Sequence, residues 1–233
     1  MSRGKGKGGS KECFQSVLDP RHVEMMMLDP QPTVFVIDDD ASMRRALSYL
    51  LQSAGYNVET YSSAEKFLGR EHYDGVGCII LDVRMPGLSG MDLQEKLMRA
   101  DYRMPIIFLT GHGELSMGVQ AMKKGAIDFL TKPCDDEQLL GAVHKAIEKD
   151  MQARGSYNEK QEIRRRIELL TPRENEILRY VIAGLLNKQI AAKLGIAEPT
   201  VKIHRGRIME KLCAESVADL VRLAGKAGIK PLV

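Results

Sequence analysis

Between Thr33 and Lys149 the chain repeats one pattern five times, a short apolar run followed by an amphipathic stretch. The apolar runs Val34–Ile37, Val58–Tyr61, Cys78–Leu81, Ile106–Leu109 and Ile127–Leu130 have the length and composition of strands. The stretches between and after them, Ser42–Ala54, Ala64–Gly69, Met91–Arg99, Leu115–Lys124 and Glu137–Lys149, carry the helical period. Strands that alternate with helices of this length pair in parallel through right-handed crossovers. The first, third and fourth runs are almost wholly apolar, as strands covered on both faces must be. The pattern therefore predicts an α/β domain, a doubly wound parallel sheet of five strands.

The period changes after this. Met151 to about Glu168 is polar, with a basic run at Arg164–Arg166, and reads as a helical linker. Beyond it no strand candidate occurs. Thr171-Pro172-Arg173-Glu174 is a capping box with proline at the first helical position, so a helix is expected from there to about Ala183. Asn187 is expected to cap a short helix through Leu194, with Gly195 as its stop. A third helix is expected from about Glu198 to Leu212 and a fourth from Ser216 to about Gly225, which makes an all-α module of four helices. The expected domains are 31–150, a linker at 151–167, and 168–233. Residues 1–30 open on a Gly/Lys-rich segment without sustained period and read as a disordered or vector-derived extension.

Composition bounds the function. Gln31 to Asp150 holds 13 Lys/Arg against 18 Asp/Glu, whereas Lys160 to Val233 holds 15 against 8. An acidic front half suits metal or phosphoryl chemistry, and a basic rear half suits a polyanion, although uneven solvated surface would give the same counts. Cys13, Cys78, Cys134 and Cys213 form no C-x-x-C pair, which argues against a zinc site or disulfide framework and fits a reducing cytoplasm. No apolar run approaches the roughly 18–20 residues needed to cross a bilayer, so no membrane partner is expected.

The chemistry-bearing residues fall where strands end. Asp38, Asp39 and Asp40 follow the first strand, Asp82 ends the third, Thr110 follows the fourth, and Lys132 comes shortly after the fifth. Carboxyl ends of parallel strands converge on one sheet edge, so chain-distant segments deliver carboxylates, a hydroxyl and an ammonium to one small volume. Crowded carboxylates raise one another's pKa unless a cation shares the site, and Mg²⁺ with its preference for oxygen ligands answers that need. A carboxylate beside Mg²⁺, Lys and a hydroxyl can accept a phosphoryl group as an acyl phosphate. Each element has a plainer reading: the aspartate triplet could cap a helix, Asp82 could cap a turn, and Thr131-Lys132-Pro133 could be any loop. A Mg²⁺-dependent phosphohydrolase or nuclease would additionally need a base for an attacking water, and His112 is the one candidate near Asp82.

Val34-Phe35-Val36-Ile37-Asp38-Asp39-Asp40, Leu81-Asp82-Val83-Arg84-Met85-Pro86-Gly87, Leu109-Thr110-Gly111-His112-Gly113 and Phe129-Leu130-Thr131-Lys132-Pro133 resemble the receiver domain of bacterial two-component systems. Thr-Gly-His-Gly followed by Ala121-Met122-Lys123-Lys124-Gly125-Ala126 is similar to the FixJ-like subgroup. The resemblance covers about Thr33 to Asp150 and implies a flavodoxin-like fold whose phosphoacceptor is Asp82, supplied by a histidine kinase. It implies that Asp39, Asp82 and the Arg84 carbonyl bind Mg²⁺ directly, with Asp38 assisting through water. Thr110 and Lys132 would sense the phosphoryl oxygens, and Phe129 stands at the position of the aromatic switch residue, without the hydroxyl some relatives use.

In the rear half, Asn187–Ile196 followed by Ala197–Arg205 reads as helix, tight glycine turn and second helix. In the second helix Val201, Ile208 and Leu212 share an inward face, while Lys202, His204, Arg205 and Arg207 point elsewhere. A docked helix with a basic N-terminal half fits a DNA major groove, and a helical hairpin with a solvated basic face is the plain alternative. Leu170-Thr171-Pro172-Arg173-Glu174 through Lys211-Leu212 is similar to the LuxR/NarL-type DNA-binding domain, over roughly Glu168 to Ile229. That resemblance implies a recognition helix at Glu198–Lys211 contacting DNA through Thr200, Lys202, His204, Arg205 and Arg207, with Lys188 supporting from the preceding helix. Ala197, where the family often has Ser, leaves the recognition helix without a side-chain cap. Together the two resemblances imply a cytoplasmic transcription regulator rather than an enzyme. Its expected partners are a sensor histidine kinase, promoter DNA, RNA polymerase and, on phosphorylation, a second copy of itself.

Overall fold

The computed structural model describes residues 31–100, 102–111 and 115–232. The extension at 1–30 and His112 lie outside the described residues. The described chain divides into two compact units between Arg154 and Gly155.

The first unit is built on five parallel strands, β1 (Thr33–Ile37), β2 (Asn57–Tyr61), β3 (Gly77–Leu81), β4 (Ile106–Thr110) and β5 (Asp128–Thr131), in the order β2-β1-β3-β4-β5. Strands β1, β3 and β4 are buried along their whole length, which is why they read as unbroken apolar runs, whereas the edge strands β2 and β5 are partly exposed. Because strand side chains alternate, Val34 and Val36 face one layer and Phe35 and Ile37 the other. The first layer is closed by Leu47 and Leu51 of α1 (Ala41–Ser53) and Val143 and Ile147 of α5 (Asp136–Glu168). The second is closed by Phe67 of α2 (Ala64–Leu68), Leu93 and Leu97 of α3 (Gly90–Arg99) and Ala121 of α4 (Leu115–Lys123). The strand order reverses between β1 and β3, so the crevice that parallel sheets offer to ligands opens beyond Ile37 and Leu81.

Three expectations shift. Thr110 is the last residue of β4 rather than the residue after it, and β5 begins at Asp128, because Ile107 pairs with Asp128 and Thr110 with Thr131. The helix expected to end near Lys149 and the helical linker expected after it are one helix, α5, which runs unbroken for 33 residues to Glu168. No proline interrupts it, and Asp150–Arg154 and Glu162–Arg166 pairs at i,i+4 support its polar course.

The second unit contains α6 (Pro172–Ile182), α7 (Asn187–Leu194), α8 (Glu198–Lys211) and α9 (Val217–Ala227) around Ile177, Leu178, Val181, Ile190, Val201, Ile208, Leu212 and Leu220. The capping box forms as expected, with the Glu174 N–H on Thr171 Oγ1 and the Thr171 N–H on Glu174 Oε2. Gly195 takes the left-handed conformation, φ 62°, that turns α7 into α8. Asn187 does not cap α7, and helix α9 passes through Gly225 to end at Gly228, whose φ is 77°. The capping position is Leu186, whose N–H is taken by Gln189 Oε1 at 2.8 Å, and this leaves the Asn187 side chain for another partner.

Candidate functional site

At the crevice the three consecutive aspartates separate into different roles. Asp40 is the N-cap of α1, its Oδ1 accepting the N–H groups of Ser42 at 2.7 Å and Met43 at 3.4 Å. Those backbone donors hold its carboxyl below the usual range. Asp38 points inward and is 2% exposed, its Oδ1 accepting the Asp40 N–H and its carbonyl accepting Arg44 Nη1. Asp39 remains exposed. Of the triplet, Asp40 thus caps a helix, while Asp38 and Asp39 gather with Asp82 at the crevice.

Asp82 follows β3, its backbone N–H donating to the Ile37 carbonyl at 2.9 Å, so the ends of β1 and β3 are tied together. Lys132 Nζ lies 2.6 Å from Asp38 Oδ2 and 3.0 Å from Asp82 Oδ2. Burial disfavours the ammonium, but hydrogen bonds and charge from the two carboxylates outweigh it and raise the Lys132 pKa above the usual lysine value. Carboxylate oxygens of Asp38, Asp39 and Asp82 all come within 4.8 Å of one another. Lys132 pairs with two of these three carboxylates, and hard oxygen donors so placed fit a small divalent cation.

The surrounding backbone holds this arrangement. The Lys132 N–H donates to the Thr110 carbonyl at 2.8 Å, coupling the ends of β4 and β5, and Thr110 is fully buried. The Arg84 N–H donates to Asp82 Oδ1 at 3.3 Å, so Arg84 meets the pocket through its main chain. Phe129, half-buried, packs its ring 6.0 Å from that of Phe108, and a Cβ at Gly118 would press on it at 3.2 Å.

Two supporting residues escaped sequence reasoning. Glu65 on α2 accepts the Leu88 N–H at 2.8 Å and so pins the loop that follows Asp82. Gly90 opens α3 against the Asp82 main chain, where a Cβ would overlap the Asp82 carbonyl oxygen. Gly90 carried a faint signal, a glycine where a helix begins; Glu65 carried none, because its partner lies on another element.

On α8, Val201 and Ile208 are buried as expected, and the helix lacks a side-chain N-cap, as Ala197 implied. Lys202 and Arg207 are exposed, whereas Thr200, His204 and Arg205 are half-buried; Lys188 on α7 is exposed. Arg205 Nη1 donates to Asn187 Oδ1 at 2.6 Å. His204 Nδ1 is buried with no hydrogen-bond partner. Ile203, unanticipated, is 57% exposed on the polar side of α8, out of phase with the buried stripe. An aliphatic group there is suited to thymine methyls in a groove.

Comparison with known proteins agrees with both halves. Residues 34–144 match the family described as "Response regulator receiver domain", and residues 168–224 match "Bacterial regulatory proteins, luxR family". The chain is 48% identical to Nodulation protein W of Bradyrhizobium diazoefficiens, over 84% of this chain and 86% of that protein. It is 41% identical to Transcriptional regulatory protein FixJ of the same organism, over 84% of this chain and 96% of that one. Among solved structures it is similar to the response regulator StyR, with a TM-score of 0.78 and 46% identity, covering 84% of this chain and 99% of that one. Among the described residues no helix is long and apolar enough to cross a membrane.

Proposed function

The chain belongs to the two-component response regulators of the FixJ/NarL family, which join a receiver to a LuxR-type DNA-binding domain, and on that premise we propose that Asp82 is its phosphoacceptor. The observation that carries the assignment is the position of the Asp82 carboxylate at the switch point of the sheet, 3.0 Å from Lys132 Nζ and grouped with Asp38 and Asp39. Asp39, Asp82 and the Arg84 carbonyl would hold Mg²⁺, with Asp38 acting through water; the bound ion would neutralise charge on the phosphoryl oxygens. An Asp82 oxygen attacks phosphorus in the phosphohistidine of a sensor kinase, an O–P bond forms, the N–P bond breaks, and the leaving imidazole nitrogen keeps the electron pair.

The residues around Asp82 then read the product. Lys132, which bridges Asp38 and Asp82, turns its ammonium to a phosphoryl oxygen, and the Thr110 hydroxyl donates to another. Movement of Thr110 frees space for Phe129 to turn inward, which alters the face built from α4, β5 and α5. That face pairs two receivers in the cytoplasm, and the paired DNA-binding domains engage promoter DNA and RNA polymerase. Helix α8 would enter the major groove with Lys202 and Arg207 outermost and Thr200, His204 and Arg205 at its margin, while Lys188 supports from α7. The protein acts on its own phosphoryl group only and turns over no other substrate.

The test is Asp82→Asn, incubated with Mg²⁺ and a radiolabelled small phosphodonor such as acetyl phosphate. Labelling should be lost, because the amide is neither an adequate nucleophile nor a charged ligand. Labelling equal to wild type would remove Asp82 from this role.

A further inference from the structure

The helices α7 and α8 are joined by only Gly195, Ile196 and Ala197 and pack through Ile190, Ala191 and Val201. Apolar packing is non-directional, so it brings two helices together without fixing their inclination to a fraction of an ångström. A helix that must present side chains to base edges needs that inclination fixed. Directional contacts occur at the two ends of α7. At its C-terminus Arg173 Nη2 donates to the Leu194 carbonyl at 2.9 Å, while Nη1 of the same residue is held by Glu176 Oε2 at 2.7 Å. At its N-terminus the contact is Arg205 Nη1 on Asn187 Oδ1, a charged donor on a neutral acceptor across the two helices. Asn187 is available for this because Gln189 satisfies the capping position next to it.

We propose that Arg205 serves DNA recognition indirectly, as a positioning residue that locks α7 to α8 through Asn187, and that it is not itself a base-reading side chain. The inference rests on the DNA-binding role of α8 proposed above and assigns the direct contacts to exposed neighbours, Lys202 and Arg207 foremost. Arg205 is half-buried and one of its terminal nitrogens is held by Asn187, which ties the guanidinium to α7, whereas Lys202 and Arg207 are exposed and carry no such tie to α7 among the described residues. Arginine suits this use, since its planar fork loses little freedom when one arm is fixed.

The experiment is a double-mutant cycle on the full chain with Asn187→Ala, Arg205→Ala and the pair, plus Arg205→Lys. Two quantities are measured, thermal unfolding without DNA and affinity for a duplex that wild type has enriched from a random-sequence pool, against a scrambled duplex over a range of salt. Asn187→Ala and Arg205→Ala should each lower specific affinity on the order of tenfold, and the pair should lose about the same rather than the product of the two. Their unfolding temperatures should be coupled in the same non-additive way, and Arg205→Lys, whose ammonium can still reach Asn187, should recover part of the loss. The salt slope should stay near that of wild type in all variants. Multiplicative losses, a silent Asn187→Ala, or a slope lower by about one unit in Arg205→Ala alone would overturn the brace and return Arg205 to base or phosphate contact. A wild-type chain that enriches no sequence would overturn the DNA-reading role and the inference built on it. Coupled unfolding temperatures would then show a purely structural contact.

Discussion

Lys132 is the residue on which the acidic pocket balances. Its ammonium is shared between Asp38 and Asp82, both largely buried, and Asp39 adds a third carboxylate within reach. Removing one partner of a buried charged pair leaves the other uncompensated, which costs more than the pair contributes in place. Lys132→Ala should therefore destabilise the receiver by about 1–3 kcal/mol in the absence of divalent ions. Mg²⁺ should then recover much of that loss, because a cation among the carboxylates replaces the missing ammonium, so the rise in melting temperature on adding Mg²⁺ should be larger in the variant than in wild type. The same variant should still accept phosphate in part but transmit it poorly, since in the proposed mechanism Lys132 reads the phosphoryl group and Asp82 carries it. Melting curves with and without Mg²⁺ check the first point; an equal Mg²⁺ response in both proteins would count against a cation site at these carboxylates.

At the level of elements, the capping box at the start of α6 reaches further than its motif suggests. Glu174 is 2% exposed and accepts from the Thr171 N–H at 2.9 Å and from Lys211 Nζ at 2.7 Å, so one carboxylate joins the start of α6 to the end of α8. Burial alone would raise its pKa, but the Lys211 and Thr171 hydrogen bonds override that and lower it. A carboxyl whose pKa is lower folded than unfolded adds stability above the unfolded value, and that contribution is lost as pH falls through the folded one. Calorimetry from about pH 6 down to pH 3 should show the helical unit losing stability on acidification, and Glu174→Gln should flatten that dependence while lowering stability at neutral pH. An unchanged pH profile in the variant would remove Glu174 as its source. The element scale is also where sequence was most and least legible. Uninterrupted burial made β1, β3 and β4 plain as apolar runs, and Thr171-Pro172-Arg173-Glu174 announced α6, because the physics that forms these elements is local. The pocket residues Asp38, Asp82 and Lys132 converge because strand ends converge, so topology read from period was sufficient to group them. Asn187 was misread as a cap, and Glu65 went unnoticed, because each is decided by a partner on another helix or loop that no local pattern reports. The polar stretch after Lys149 was legible as a helical linker, but without an apolar period its continuity with the preceding helix was not.

For the whole molecule the charge asymmetry sets what phosphorylation must accomplish. The front half carries 13 Lys/Arg against 18 Asp/Glu and the rear half 15 against 8, so receivers repel one another weakly while each rear half is drawn to DNA as a single basic module. One such module neutralises few phosphates, and its grip on DNA is correspondingly weak at physiological salt. The proposed pairing of two receivers would change this without any new protein–DNA contact within a module. The second module would then bind at the effective concentration set by its tether, and affinity should rise by a factor of order 10² or more. Three measurable consequences follow together from this coupling. Acetyl phosphate and Mg²⁺ should convert the chain from monomer to dimer in sedimentation velocity, with Asp82→Asn remaining monomeric. The slope of log affinity against log salt should roughly double on phosphorylation, because two modules release twice the counterions. Inserting about 5 base pairs between the half-sites of an enriched duplex should abolish the gain, whereas about 10 should preserve much of it, because rotation by half a turn puts the second half-site on the far side of the helix. If the phosphorylated chain bound both insertions equally, or gained affinity while sedimenting as a monomer, the receiver would be acting by releasing its DNA-binding domain, and pairing would not be the output.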